Sequence, residues 1–373
     1  MSVPLRVAIV QGQFGQGGAE RQVYELVRRV DRSVFDVRCV VLSPELDPYG
    51  PLLQRAGIEV VGFDRHRTWD VGRVLALRRL LRSWGTDVIY AVGHATAALC
   101  QFARFGCAGM RLVPSIRSTV IKHPFPKPQL YRWMFRSAPV TVVNSFRGAE
   151  FCQREFGLPT HRTVVVGNGI DLDALRSEAV AEADVRASLN LPHDAPVVLF
   201  VGKDSWQKQP QRFFAVAERV AAAHPTAQFV AIGWRLGSED RGRLGVTNSR
   251  IHLLGPRSDA VVWIKQASVV VMTSETEGCP NVVLEAAALG TPIIAPDVGD
   301  VARIFGVEAA SRLVRQQEVA DYARLVLHAL ADGEEQQRVT EALSHRVRAE
   351  YSMERMVSRT TDVWREAAGR VQG

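Results

Sequence analysis

Short runs of β-branched and other apolar residues alternate along the chain with longer stretches in which apolar residues recur at a helical spacing. The first run, 5–10, is followed by a glycine-rich turn and then by a helical period over 19–30. Similar runs predict further strands at 37–42, 58–62, 87–91, 111–116 and 140–143. Parallel strands joined by helices form a doubly wound sheet, so this half of the chain is predicted to be one α/β domain.

The alternation of strands and helices is interrupted at the turn 167–171, which precedes a polar stretch rich in alanine and glutamate. A second series of strands and helices begins at 197–202 and ends in two or three helices from about residue 318. Its further strands are predicted at 228–233, 250–253, 269–272 and 292–295. We therefore predict two α/β domains, 1–173 and 174–352. Because open α/β sheets bind ligands at the carboxyl ends of their strands, we expect a central cleft between the domains to hold the ligands.

Composition narrows the partners and the compartment. The chain has 373 residues, of which 47% are hydrophobic, and its five cysteines lack the close spacing of zinc or redox sites. It has no run of about eighteen apolar residues and no signal-peptide pattern at the start, so we expect a cytoplasmic protein with reduced thiols. The net charge of +7 is scattered and no nucleic-acid motif accompanies it, which favours acidic lipid headgroups or phosphorylated substrates over nucleic acid.

A glycine-rich loop follows the first predicted strand. Small residues there, Gly17 and Gly18 among them, let backbone N–H groups approach a phosphate or sugar at a helix N-terminus. A turn needed only for chain geometry is the alternative. A dinucleotide fold is excluded because the glycines do not have the GxGxxG spacing and no acidic residue stands at the end of the next strand.

Two lysines follow the strand at 197–202. Lys203 and Lys208 lie in the loop before a helix that should start near Pro210. Fixed cations at this position can stabilise the charge of a departing diphosphate without a metal. No DxD pair stands at a strand end, so we predict no metal site and no cofactor. Two solvated surface lysines are the alternative interpretation.

Two glutamates follow the strand at 269–272. Pro280 suits the first turn of a helix that Gly290 should end, which places Glu277 in the loop before this helix and Glu285 on its second turn. As hydrogen-bond acceptors, one carboxylate can bind sugar hydroxyls and the other ribose hydroxyls. The alternative is that both acids are present because the helix dipole favours them.

These residues stand in the sequence Ser-x-x-Glu-Gly-x-Pro-Asn-x-x-x-Glu-Ala, 274–286, which resembles the signature of glycosyltransferase family 4. Three further motifs are similar to that family's: the GGxER loop at 17–21, the NGID turn at 168–171 and the Val-Gly-Lys with a second lysine at 201–208. The resemblance covers nearly the whole chain in the right order. It implies a retaining enzyme with two Rossmann-like domains, the GT-B fold.

The resemblance also implies roles for individual residues. Lys203 and Lys208 would hold the diphosphate, Glu277 would contact the donor sugar, and Glu285 would bind the ribose. Donor binding is implied for Gly17, Gly18, Lys203, Lys208, Arg257, Glu277, Gly278, Asn281, Val282 and Glu285. Catalysis is implied for Glu277, Lys208 and Lys203, and the helix at 353–373 is expected to return to the first domain.

Four departures from the family pattern bear on substrate choice. Lys203 stands where the family commonly has arginine, which keeps the charge and loses bidentate geometry. Arg117 replaces the usual histidine after the strand at 111–116, the loop 296–303 lacks a second glycine and a nearby glutamate, and 232–235 lacks Gly-Asp-Gly.

Three residues of the first domain are further candidates. His94 follows a strand in a small-residue setting and is a candidate catalytic residue, with a packed or solvated histidine as the alternative. Arg117 and Asn168 are predicted on the acceptor side, where Arg117 would face an acceptor or a donor phosphate.

Basic and aromatic residues interleave at 121–136. This pattern suits an anionic membrane surface that carries a lipid-linked acceptor, at the inner face of the membrane. An ordinary helix with an aromatic core face explains it as well. The run contains Lys122, His123, Lys127, Arg132 and Arg136 among Phe125, Tyr131, Trp133, Met134 and Phe135.

The sequence thus predicts a metal-independent, retaining glycosyltransferase. It would move a hexose or N-acetylhexosamine from a UDP- or GDP-sugar to a glycan or lipid-linked acceptor in polysaccharide or envelope synthesis. A GT-B epimerase or phosphorylase is an enzyme alternative, disfavoured by the spacing of Glu277 and Glu285 and by the NGID turn. A non-catalytic sugar-nucleotide binding protein is the alternative from another class, and retention of both lysines and both glutamates argues against it.

Overall fold

The chain divides into two compact units in the computed structural model, which describes residues 3–15, 17–64, 71–117, 128–179, 185–192, 194–331 and 333–370. Unit 1 comprises Met1–Gly169 and Met353–Gly373, and unit 2 comprises Ile170–Ser352. The boundary predicted from sequence lay near residue 173. Within the described ranges, no helix is both long enough and apolar enough to cross a bilayer.

Unit 1 is built on a parallel sheet. In chain order its elements before the boundary are β1 (Leu5–Gln11), α1 (Gly18–Arg29), β2 (Phe35–Val41), α2 (Tyr49–Arg55), β3 (Val60–Gly62), α3 (Val71–Ser83), β4 (Val88–Val92), α4 (His94–Arg104), β5 (Arg111–Ile116), α5 (Pro128–Arg136), β6 (Thr141–Val143), α6 (Phe146–Phe156) and β7 (Thr163–Val165). The seven strands lie in the order β3-β2-β1-β4-β5-β6-β7. The carboxyl ends of β1, β4 and β5 are therefore neighbours.

Unit 2 repeats this architecture with a second parallel sheet. Its elements are α7 (Leu172–Ala179), β8 (Val197–Val201), α8 (Pro210–Ala223), β9 (Gln228–Ile232), α9 (Arg241–Leu244), β10 (Ile251–Leu253), α10 (Ala260–Gln266), β11 (Val269–Val271), α11 (Asn281–Leu289), β12 (Ile293–Pro296), α12 (Val301–Phe305), β13 (Leu313–Val314), α13 (Val319–Leu330) and α14 (Glu334–Glu350). The six strands lie in the order β10-β9-β8-β11-β12-β13. This order makes β8 and β11, the strands before the two candidate loops, direct neighbours.

Apolar clusters cover both faces of each sheet. Side chains along a strand point alternately to the two faces, so one strand contributes to two clusters. On β1, Leu5, Val7 and Ile9 belong to one apolar cluster, while Ala8 and Val10 belong to another. Strand β8 divides its side chains between two clusters in the same way. The sequence consequently shows near-continuous apolar runs here, and the predicted fold of two doubly wound parallel sheets is confirmed.

The last helix belongs to unit 1. This helix, α15 (Met353–Ala367), packs its apolar face into the core cluster that contains β1 and β2. Trp364 is fully buried there, and its ring lies edge-on to Phe35 at 5.7 Å and to Tyr90 at 5.5 Å between centroids. The helix at the end of the chain therefore returns to the first domain, as the family resemblance implied.

Two strands were not predicted from the sequence. Strands β7 and β13 contain three and two residues. Each lies at an edge of its sheet. A strand of two residues cannot show any alternation, so the sequence carries little signal for β13.

The basic and aromatic run is only partly covered by the described residues. Its candidates Lys122, His123, Phe125 and Lys127 lie outside them. In the part of α5 whose side chains are described, Tyr131, Met134 and Phe135 are buried in the core of unit 1. Arg132, Trp133 and Arg136 are exposed. The helix thus has the aromatic core face of the plainer interpretation and, on its other side, an exposed tryptophan between two arginines.

Candidate active site

The loop after β8 is fixed by a close approach of two backbone segments. Gly233, at a φ of 150°, lies so near Gly202 that a Cβ would overlap the Gly202 carbonyl oxygen. One step further, the Asp204 N–H donates to the Trp234 carbonyl at 2.9 Å. The short segment between these contacts carries Lys203, whose side chain is exposed. Its ammonium group is therefore accessible at the carboxyl end of β8.

The loop after β11 leads into α11. This helix begins at Asn281, and Pro280 precedes it in an extended conformation with φ −75° and ψ 122°. The sequence had placed Pro280 in the first turn, one position too early. Gly290 ends the helix at a φ of 71°, as predicted. Glu277 accordingly lies in the loop and Glu285 on the second turn.

The structure brings Lys208 and Glu277 together. Lys208 Nζ lies 2.6 Å from Glu277 Oε1, and the two side chains are 24% and 9% exposed. Sequence reasoning gave these residues roles toward different parts of one ligand and did not foresee that they pair. In a partly buried site their attraction is screened less than it would be on the surface. The predicted phosphate-binding cation is therefore already bound to the predicted sugar-binding carboxylate.

Backbone contacts hold the two loops side by side. Gln207 Nε2 donates to the Thr276 carbonyl at 3.0 Å, and the Glu275 N–H donates to the Gln207 carbonyl at 2.8 Å. Thr273 Oγ1 donates to the Lys208 carbonyl at 3.0 Å. Because these bonds fix both backbones, the pair can open only by rotation of the Lys208 or the Glu277 side chain.

Arg212, a residue that sequence reasoning missed, reinforces the same junction. From the first turn of α8, its Nη1 donates to the Thr273 carbonyl and its Nη2 to Glu275 Oε2, both at 2.9 Å. An arginine in the first turn of a helix opposes the helix dipole. Such a placement needs a compensating partner elsewhere in the fold, and this was the signal that could have marked it.

A third loop, 296–303, contacts the backbone of Glu277 and Gly278. The Asp300 N–H donates to the Gly278 carbonyl at 2.9 Å. Gly299 has a φ of 57°, and a Cβ there would lie 2.6 Å from the Glu277 carbonyl oxygen. The loop 296–303, in which the family pattern is altered, is thus in contact with the backbone of the signature motif.

We expect Gly299→Ala to destabilise the protein by about 2 kcal/mol or more beyond Gly290→Ala. Both glycines have a positive φ, so each alanine carries the cost of a left-handed conformation, about 1–2 kcal/mol. Only Gly299 also meets backbone, because nothing lies within 4 Å of a Cβ on Gly290. Urea unfolding of the two variants measures the difference. Equal losses of stability would show that the loop yields without cost.

The other donor-side candidates lie around this junction or apart from it. Arg257 Nε donates to Asp259 Oδ1 at 2.6 Å, and these hydrogen bonds raise the pKa of the arginine. Its strongest described contact is therefore a near neighbour and not the Lys208–Glu277 pair. Asn281 and Val282 form the start of α11, where Val282 is buried. Their roles toward a donor stay predictions.

The candidates of unit 1 meet at the carboxyl ends of its strands. Gly17 caps α1 and Gly18 is its first residue. His94 is the first residue of α4, and burial lowers its pKa to about 4, so the ring is neutral near pH 7. Arg117 Nη1 donates to Asn168 Oδ1 at 3.0 Å. Arg117 and Asn168, both predicted on the acceptor side, are thus in direct contact.

Comparison with known proteins identifies the family. A model described as Glycosyltransferase Family 4 matches residues 16–174, and one described as Glycosyl transferases group 1 matches 195–332. The N,N'-diacetylbacillosaminyl-diphospho-undecaprenol alpha-1,3-N-acetylgalactosaminyltransferase of Campylobacter jejuni is 30% identical over 69% of this chain and 72% of its own length. The chain belongs to glycosyltransferase family 4. The predicted membership is confirmed, and with it the transferase class at the level of the family.

Further relatives and solved structures also resemble this chain, in sequence or in fold. A D-inositol 3-phosphate glycosyltransferase of Streptomyces bingchenggensis is 28% identical over 61% of this chain and 52% of its own length. The chain spans about half the length of the first curated relatives it matches. The crystal structure of HepE from Anabaena with UDP-glucose has a TM-score of 0.82 at 17% identity, over 97% of this chain and 100% of that one. This likeness supports the GT-B fold.

Proposed function

We propose that this family 4 protein is a retaining glycosyltransferase that moves a hexose or N-acetylhexosamine from a nucleoside-diphosphate sugar to a glycan or lipid-linked acceptor. The observation that carries the proposal is the pairing of Lys208 with Glu277 at the ends of two adjacent strands, β8 and β11. Both residues lie in the segment that the group 1 model matches. The cation and the carboxylate are therefore close enough to contact the diphosphate and the sugar of one donor molecule.

In the proposed reaction, the bond between the anomeric carbon and the phosphate oxygen breaks and the diphosphate leaves with the electron pair. Lys208, helped by Lys203, stabilises the charge that develops on the leaving group. Glu277 accepts hydrogen bonds from sugar hydroxyls near the breaking bond, and Glu285 accepts them from the ribose. The acceptor hydroxyl oxygen forms the new bond on the face that the diphosphate left, and its proton passes to the departing phosphate oxygen. Attack on that face preserves the anomeric configuration.

The donor and acceptor classes are proposed by analogy with named relatives. The structure of Anabaena HepE contains UDP-glucose, which favours a uridine diphosphate donor over a guanosine one. The Campylobacter relative is named for N-acetylgalactosamine transfer to a diphospho-undecaprenol acceptor, which favours a lipid-linked acceptor in envelope or polysaccharide synthesis.

A two-stage assay tests this function. A thermal-shift screen with UDP-glucose, UDP-N-acetylglucosamine, UDP-N-acetylgalactosamine and GDP-mannose should find a donor that raises the melting temperature, because a ligand at 100 times its Kd stabilises by about 2.7 kcal/mol. The protein should then hydrolyse that donor slowly, or transfer its sugar to an added acceptor. Binding without any turnover would favour the non-catalytic alternative, and a product that keeps the diphosphate would favour an epimerase.

Turnover of that donor is expected to survive EDTA. Lys203 and Lys208 supply the positive charge that a divalent metal supplies in other transferases. Initial rates with and without chelator should agree within about twofold, because no step of the proposed mechanism uses a metal. Loss of activity that magnesium or manganese restores would contradict this part of the proposal.

Salt-dependent binding to anionic vesicles is expected if the exposed side of α5 meets a membrane. Arg132 and Arg136 flank Trp133, whose exposed fraction is 48%. Each basic residue near an anionic surface contributes about 1 kcal/mol, so neutralising both arginines should weaken binding by about 30-fold. Arg324→Gln, an exposed position of unit 2, is the control. If wild type does not bind phosphatidylserine vesicles at low salt, the acceptor is not reached through this surface.

A further inference from the structure

Two ion pairs join the start of α8 to the loop after β11. One is Lys208 with Glu277. The other is Arg212 with Glu275, whose Nη2 and Oε2 atoms lie 2.9 Å apart on side chains that are 19% and 46% exposed. In the proposed reaction the donor contacts the first pair directly, so the contact between Lys208 and Glu277 weakens when the donor binds. The second pair can then keep the loop in place.

Arg212 binds more than the Glu275 carboxylate. A half-exposed ion pair contributes little by itself, but Arg212 Nη1 also donates to the Thr273 carbonyl at 2.9 Å and to Gln317 Oε1 at 2.5 Å. One guanidinium group thereby joins three segments: the first turn of α8, the loop after β11 and the segment before α13. Its planar fork fixes the directions of these hydrogen bonds, which a lysine ammonium group does not do.

Gln317 is a constrained partner for Arg212. Its φ of 56° lies in the left-handed region, which non-glycine residues adopt rarely. Such a conformation persists where the surrounding structure holds it, and it is found more often at functional sites. The Gln317 side chain therefore extends from a constrained backbone, and its hydrogen bond restrains the guanidinium group of Arg212.

The groups that Arg212 binds lie close to Glu277 in the chain. Thr273 stands four residues and Glu275 two residues before it, and the Glu275 N–H donates to the Gln207 carbonyl at 2.8 Å. The loop is thus fixed, by its backbone and by a side chain, just before the carboxylate that is proposed to contact the sugar. Each of these contacts is with a protein group, so Arg212 acts on the reaction through the loop and not on the donor itself.

We propose that Arg212 is a positioning residue for glycosyl transfer, which keeps Glu277 in place while the donor occupies the Lys208–Glu277 pair. This inference rests on the proposed transferase function. A misplacement of about 1 Å at a reacting centre can lower a rate by about 10². Binding of the nucleoside diphosphate does not need the same precision, because its proposed contacts with Lys203 and Glu285 lie outside the segment 273–277.

Arg212→Gln should lower kcat by about 10- to 100-fold with the donor found by thermal shift, and should leave KM and the affinity for the matching UDP or GDP within about twofold. Arg212→Lys should recover part of kcat, because it restores the charge without the fork. Glu275→Gln should also lower kcat, and combining it with Arg212→Gln should cost no more than Arg212→Gln alone, since both residues act through one contact. Steady-state kinetics and calorimetric titration measure these effects.

Arg250→Gln is the matched control. Arg250 also lies in unit 2 and donates to three backbone carbonyls, those of Ala221, His224 and Pro225. It precedes β10 at the amino ends of the parallel strands, whereas Glu277 follows β11 at their carboxyl ends. Its replacement should lower the melting temperature and leave kcat unchanged.

Hydrogen exchange of the unliganded protein tests the hold on the loop without any turnover. In Arg212→Gln the amides of segment 273–277 should exchange at least about tenfold faster than in wild type, as expected when hydrogen bonds from a charged group are lost. In Arg250→Gln the same amides should exchange as they do in wild type.

Wild-type kcat, or unchanged exchange at 273–277, in a folded Arg212→Gln would overturn the assignment, and so would an equal loss of kcat in Arg250→Gln. Circular dichroism checks the fold of each variant, and Arg212→Lys and Glu275→Gln keep the test valid if Arg212→Gln does not fold. Failure of the transferase proposal has a different signature. Wild type then turns over no nucleotide sugar, and hydrogen exchange still decides whether Arg212 holds the loop.

Discussion

Replacing Lys208 by alanine should lower turnover by about 10²–10³, the usual effect of removing one preorganised charge aimed at a developing anion. The charge on the leaving diphosphate is larger in the transition state than in the bound donor, so the loss should fall on kcat more than on KM. Lys203→Ala should show a smaller effect, because the Lys203 side chain is exposed and more of its field is screened by solvent. Steady-state kinetics of both variants with the donor found by thermal shift measure the difference.

A structural effect must be separated from this catalytic one. In Lys208→Ala the Glu277 carboxylate, only 9% exposed, loses its cation. Leaving one charge of a partly buried pair unmatched destabilises a protein more than removing both charges does. The double variant Lys208→Met with Glu277→Gln should therefore be at least as stable as Lys208→Ala, and Lys208→Arg should keep part of the turnover. Full activity in a folded Lys208→Ala would show that this lysine does not act on the leaving group.

The sequence indicated the candidate residues of the site but not the contacts between them. Glu277, Glu285 and the two lysines were chosen because each follows a strand and stands in a family motif. The pairing of Lys208 with Glu277 joins residues 69 positions apart. Only the order of strands in the folded sheet, which places β8 beside β11, brings them together, and a sequence pattern does not encode that order directly.

The residues that support the site could not be identified from the sequence, for a related reason. Gln207 and Thr273 act through backbone groups of the opposite loop, and such contacts leave no pattern in the local sequence. Element bounds were predicted well where a long apolar run or a proline marked them, as at Pro210, the first residue of α8. Strand β13, of two residues, had neither mark.

Titration of nucleoside diphosphate into Glu277→Gln and Glu285→Gln should move affinity in opposite directions. Family roles alone predict that losing Glu277 leaves this affinity unchanged, because its partner is the sugar. The ion pair changes the expectation. Glu277 occupies one of the three N–H donors of Lys208 and offsets its charge, and the fixed backbones of both loops keep this carboxylate nearby as a competitor of the phosphate. Removing that competitor should tighten binding by about tenfold or more, since a hydrogen bond to a charged group contributes about 1.5–3 kcal/mol.

Glu285→Gln should instead weaken nucleoside diphosphate by about 10- to 100-fold, because it replaces charge-assisted hydrogen bonds to the ribose by neutral ones. Calorimetric titration of UDP and GDP into each variant measures both effects. The control is Glu277→Gln in a Lys208→Ala background, where no cation remains to be released and the tightening should disappear. Equal losses in both glutamate variants would mean that Glu277 binds the nucleotide directly. An unchanged affinity in Glu277→Gln would mean that its carboxylate does not compete with the diphosphate for Lys208, although the two side chains lie 2.6 Å apart.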